Sequence, residues 1–65
     1  MRIEVNGEAR EIAAATLAEA LAELGWADAK VATALNGAFV PAAARAAQTL
    51  RDGDRVEVLA PMQGG

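Results

Sequence analysis

The residues best suited to chemistry in this sequence stand at its end, in Pro61-Met62-Gln63-Gly64-Gly65. A closing Gly-Gly places two peptide units without side chains directly before a carboxylate. Glycine reaches backbone angles closed to other residues and lets the walls of a partner approach the main chain from both sides. The carboxylate of Gly65 is therefore the candidate reactive group, with Gly64, Gln63 and Met62 as the candidate recognition segment. Five extended residues reach at most roughly 17 Å, enough to thread a narrow channel while the rest of the molecule stays outside.

Other reactive groups are scarce. The chain contains no cysteine and no histidine, which removes disulfides, thiolate metal sites, a thiol nucleophile and the usual general base near neutral pH. Asp52 and Asp54 could be imagined as a metal pair, but two acids flanking a glycine are turn formers first. The composition argues against self-contained catalysis. Six Lys and Arg against nine Asp and Glu give a formal net charge of -3, without the basic run that a phosphate backbone demands. Nucleic acid is not an expected partner. No stretch approaches the roughly 20 apolar residues of a membrane span, and the sequence reads as soluble and cytoplasmic.

Sixty-five residues without a repeat or a break in composition predict one small domain over residues 1-60, followed by a flexible tail over residues 61-65. Residues 2 to 5 alternate, with Ile3 and Val5 on one face, as in a half-buried strand. Asn6-Gly7 predicts a two-residue hairpin turn, and Glu8 to Ile12 return antiparallel. Thr16 and Glu19 form a capping box, and Leu17, Ala20, Leu21 and Leu24 make one apolar helical stripe. Gly25 is placed to end that helix in the left-handed conformation, with Trp26 packing back on Leu21. Trp26 reads as structural, with an interface anchor as the alternative.

Residues 27 to 30 read as a connection and Val31 to Leu35 as a short apolar strand. Asn36-Gly37 gives a second turn, and Pro41 after Phe39-Val40 marks an edge or an exit. Ala42 to Ala47 predicts a helical turn with Arg45 in solvent, and Gln48 to Leu50 a short edge strand. Arg51-Asp52-Gly53-Asp54 is a tight turn before Arg55 to Ala60, whose Val56 and Val58 point inward. Leu59 falls on the polar face of that strand. With Met62 it forms a candidate docking patch; Phe39 is a further candidate, with a core position as its other reading. A helix must cross one face of a sheet made of all these strands, an α+β roll. A right-handed crossover leads to the expectation that strands after the helix run parallel to the first.

The order and spacing of several segments resemble the ThiS sulfur carriers of thiamine biosynthesis. The hairpin at Asn6-Gly7, Thr16-Leu17 opening the helix, Ala34-Leu35-Asn36-Gly37-Ala38-Phe39-Val40-Pro41, Asp52-Gly53-Asp54 before Val56-Glu57-Val58, and the ending Met62-Gln63-Gly64-Gly65 carry the likeness. That family commonly has Arg after Val-Pro; here the position is Ala42, and the nearest arginine is Arg45. Pro61 is also similar to the Pro-rich approach of the molybdopterin synthase small subunit, a longer carrier of the same fold.

The resemblance implies the ubiquitin-like β-grasp fold, a mixed sheet of four to five strands on one main helix, with first and last strands adjacent in mid-sheet. It also implies that a ThiF-like adenylyltransferase, using ATP and a metal ion, converts the Gly65 carboxylate to an acyl-adenylate. A sulfur-donor protein would then turn it into a thiocarboxylate, and a ThiG-like thiazole synthase would receive the sulfur. The physical chemistry agrees, because a carboxylate is a poor electrophile until it acquires a leaving group. The chain has no Gly-rich phosphate cradle of its own, so no bound cofactor is expected. Open alternatives are a carrier for molybdopterin or another thiolation pathway, and a ubiquitin-like binding module without terminal chemistry.

Overall fold

Alternating apolar residues and two Asn-Gly turns build the sheet. The computed structural model describes residues 1–27 and 29–60; the expectations placed on residues 61–65 lie outside it. Strand β1 (Arg2–Val5) turns at Asn6-Gly7 into β2 (Glu8–Glu11), with Val5 opposite Glu8 and Arg2 opposite Glu11. Helix α1 (Leu17–Glu23) follows. Strands β3 (Ala32–Leu35) and β4 (Ala38–Val40) form a second hairpin around Asn36-Gly37. A 3-10 helix (Ala42–Ala47) and the turn at Asp52-Gly53 lead to β5 (Arg55–Leu59). The five strands lie in the order β2-β1-β5-β3-β4, with β1 and β5 parallel and every other pair antiparallel. Among the described residues no helix is long and apolar enough to cross a membrane.

Helix α1 begins and ends as its sequence dictates. The Thr16 side chain accepts from Glu19 N–H at 3.2 Å, and Glu19 Oε1 accepts from Thr16 N–H at 3.2 Å, which closes the capping box. At the other end Gly25 adopts φ +99°, where a side chain would be strained. Gly25 N–H then reaches Ala22 C=O, and Trp26 N–H reaches Leu21 C=O at 2.7 Å. These two bonds are a Schellman motif. They turn half-buried Trp26 onto the core, in keeping with its structural reading.

Leu17, Ala20 and Leu21 of the helix meet Ile3, Val5, Val56 and Val58 from the two central strands, with Ile12, Val40 and Leu50 completing the core. Two expectations need correction, and of the two readings of Phe39 the core position is ruled out. Phe39 is 70% exposed, because the two-residue turn sets Val40 opposite Thr33 and faces Val40 inward, so pleating sends Phe39 out. The strand expected at Gln48 to Leu50 is a single bridge between Thr16 and Thr49. Its partner enters α1 at once, so no ladder can extend. Finally, β5 is parallel to β1, but β3 runs the other way. The crossover rule governs a parallel pair, and the parallel neighbour of β1 is β5, reached only after β3 and β4.

Candidate functional site

Strand β5 carries the tail, and the molecule holds it from both sides. On the β1 side, Gly53 N–H bonds Arg2 C=O at 2.8 Å, Glu4 N–H bonds Asp54 C=O at 2.9 Å, and Asn6 N–H bonds Val56 C=O at 2.9 Å. There β1 ends, because Asn6 turns to φ +51°. Its side chain takes over: Val58 N–H donates to Asn6 Oδ1 at 2.8 Å, and Asn6 Nδ2 donates to Val58 C=O at 3.1 Å. On the β3 side a second turn asparagine, Asn36 at φ +50°, does the same at the start of the strand. Arg55 N–H donates to Asn36 Oδ1 at 2.9 Å, Asn36 N–H bonds Arg55 C=O at 2.7 Å, and Asn36 Nδ2 donates to Asp54 Oδ1 at 3.0 Å.

An asparagine in each Asn-Gly turn thus performs two tasks. It tolerates the left-handed conformation, and its amide both donates and accepts across to β5. The first task is legible from the dipeptide; the second joins residues 52 positions apart at Asn6 and 18 or 19 at Asn36, and is not. Asp52 and Asp54 are likewise committed to the turn before β5. Asp52 Oδ1 accepts from Arg2 N–H and Asp54 Oδ2 from Arg51 N–H, each at 2.8 Å. Asp54 thereby closes its own turn, as the intervening glycine suggests, and Asp52 ties that turn to β1.

The sheet face turned away from α1 carries the candidate docking residues. Leu59 is 65% exposed and lies opposite Ala32; Phe39 lies opposite Ala34 on the far side of β3. Strand spacing and rise set their attachment points on the order of 12 Å apart on one face. Ala32 and Ala34 of β3 lie between their strands on that face, with Glu57 opposite Ala34. Glu57, Arg55, Glu4, Arg2 and Glu11 occupy the rest of that face, where Arg2 and Glu11 approach to 3.6 Å. The face is therefore divided, apolar over β3, β4 and the end of β5, charged over β1 and β2. Leu59 and Phe39 share one face of the sheet; Met62, Gln63, Gly64 and Gly65 lie outside the described residues.

Arg45 departs from its expected place in solvent. It is half-buried, with Nε donating to Thr33 Oγ1 at 2.9 Å and Nη2 to Val31 C=O. Thr33, 2% exposed, donates its own hydroxyl to Val40 C=O at 2.8 Å. The buried hydroxyl is thereby satisfied as donor and acceptor. The 3-10 helix is tied to β3 and β4, which supply the apolar half of the docking face. No signal in the sequence singles out Arg45 for this role, because its partners belong to a different strand.

A helix crossing a five-stranded mixed sheet, with first and last strands parallel in the middle, defines a ubiquitin-like β-grasp domain. The ThiS family model matches residues 3–65. A crystal structure of the thiamine biosynthesis protein ThiS from Geobacter metallireducens superimposes with a TM-score of 0.84 at 38% identity, over 100% of both chains. A solution structure of a thiamine biosynthesis protein from the same organism gives 0.78 at 36% identity, over 100% of this chain and 88% of that one. A thiazole synthase of Paramagnetospirillum magneticum is 39% identical over 66 residues. This chain spans about a fifth of the length of that relative, 20%, with all of its own residues matched. The chain belongs to the ThiS family.

Proposed function

We propose that this protein carries sulfur on the carbonyl carbon of Gly65 and delivers it for thiazole formation in thiamine biosynthesis. The observation that carries the reading is the family match, which runs through Gly64 and Gly65 rather than stopping at the folded body. In this reaction the Gly65 carboxylate attacks the α-phosphorus of ATP on a ThiF-like adenylyltransferase, and pyrophosphate leaves. Sulfide-level sulfur supplied by a donor protein then attacks the Gly65 carbonyl carbon, so that the C–S bond forms as the C–O bond to AMP breaks and AMP leaves. The thiocarboxylate passes to a ThiG-like thiazole synthase. That a stretch similar to this chain occurs within a protein named thiazole synthase supports this recipient.

Every step occurs in a partner's active site, so the chain's own task is presentation. Ordering a segment on binding costs free energy, and a tail alone supplies little affinity. Leu59 and Phe39, with Met62 beyond them, supply the docking contact, while Gly64 and Gly65 pass the narrowest part of the partner's channel. Intact-mass measurement on protein purified from its native host tests the reading. The expected species is heavier by the difference between sulfur and oxygen at one position, localised to Gly65 by fragmentation. Its absence during growth without thiamine would overturn the assignment.

A further inference from the structure

We infer that Asn6 is a positioning residue for the tail: its side-chain amide fixes where β5 ends and so where residues 61–65 enter a partner. The inference rests on the sulfur-carrier reading above. Its basis is the unequal support of β5. The β3 side pairs the strand to its last residue, Leu59 opposite Ala32. The β1 side pairs it only as far as Val56, opposite Val5. Without Asn6, Val58 would turn its N–H and C=O toward a gap left by the Asn6-Gly7 turn. The last stretch of β5 would then hang from one edge.

The amide closes that gap with both its acceptor and its donor, at 2.8 and 3.1 Å. It continues the parallel ladder one step past the strand that made it, to within three residues of Pro61. A carrier whose reactive atom must arrive at a fixed place in a foreign site needs its tail to start from a fixed place. Misplacement of a reacting group by an ångström is enough to cost large factors in rate.

Asn36 supplies the control. It makes the matching clamp at Arg55, the opposite end of the same strand, and its loss removes comparable bonds without touching the tail's point of departure. Both residues have positive φ, so glycine removes each side chain without straining the turn. The experiment measures adenylation of wild type, N6G, N36G and N6D by the host's ThiF-like adenylyltransferase, through ATP–pyrophosphate exchange. It is run at a temperature where circular dichroism shows all four folded.

The expected result is a fall of about tenfold in kcat for N6G, with KM for the carrier within about twofold and N36G indistinguishable from wild type. N6D keeps the acceptor for Val58 N–H and should recover part of the loss. Amide exchange at Val58, measured on the free protein, should rise in N6G and not in N36G. Equal kcat for N6G and N36G, with wild type active, overturns the positioning role and leaves the carrier reading intact. A wild-type chain that supports no exchange with an adenylyltransferase active on another carrier overturns both.

Discussion

The side chain of Asn6 occupies the place in the β1–β5 ladder that its own backbone vacates, accepting Val58 N–H at 2.8 Å and donating to Val58 C=O at 3.1 Å. A turn residue thereby acts as a strand residue for the neighbouring strand. Replacing it by alanine removes both bonds and leaves a side chain in the left-handed region, at φ +51°. The bonds contribute about 1 kcal/mol each and the strained backbone roughly another 1. Asn6→Ala should therefore lower stability by about 2–3 kcal/mol, read from the urea midpoint at unchanged m-value. Asn6→Gly, free of the strain, should be the milder variant; the reverse order would contradict this account.

Thr33 and Arg45 stabilise as a pair. Thr33→Val keeps shape but leaves Arg45 Nε without its acceptor, at a cost of about 1–3 kcal/mol. Arg45→Met relieves that orphan. The double variant should be less destabilised than the sum of the two single ones, with an interaction energy above about 0.5 kcal/mol. Strict additivity would show that the bond from Arg45 to Thr33 contributes nothing to the folded state.

The loop before α1 depends on two glutamates of that helix. Glu23 carboxylate oxygens accept from Ala13 N–H and Ala14 N–H at 3.0 to 3.1 Å, and Glu19 Oε1 accepts from Ala15 N–H at 3.0 Å. Thr16→Ala should cost about 1 kcal/mol through loss of the cap, a drop in Tm of roughly 4–8 °C for a domain of this size. Glu23→Ala should speed amide exchange at Ala13 and Ala14 specifically. Unchanged exchange there would remove Glu23 from the account of that loop.

The docking face makes a separable claim. Leu59→Asp and Phe39→Asp change exposed positions, so each should leave the Tm within a few degrees of wild type. Loss of the apolar contact should weaken binding to the adenylyltransferase by tenfold or more, as measured by calorimetry. Wild-type affinity in both variants would move the interface off this face. A charge reversal at Glu11, on the opposite half of the face, should have little effect on the same binding.

Terminal chemistry is tested at its own residue. Deletion of Gly65, or Gly65→Ala, should leave the circular dichroism and urea midpoint unchanged while adenylation falls below detection. Normal ATP–pyrophosphate exchange by either variant would relocate the reactive group.

Much of this molecule follows from local chemistry. Alternation in residues 2 to 5, the capping box at Thr16 and Glu19, the left-handed stop at Gly25, and two Asn-Gly turns each act over a few residues. Nearest-neighbour physics therefore sets the elements and their order. The absence of cysteine and histidine, together with the Gly64-Gly65 pair, likewise makes the Gly65 carboxylate the candidate reactive group from sequence alone. Tertiary structure decided what depends on contacts far apart in sequence. It placed β5 between β1 and β3, set Phe39 on the outer face with Leu59, drew Arg45 onto Thr33, and gave Asn6 and Asn36 their grip on β5. Each of these satisfies a backbone or side-chain group that is exposed or covered only once the strands are assembled, so no local pattern announces it.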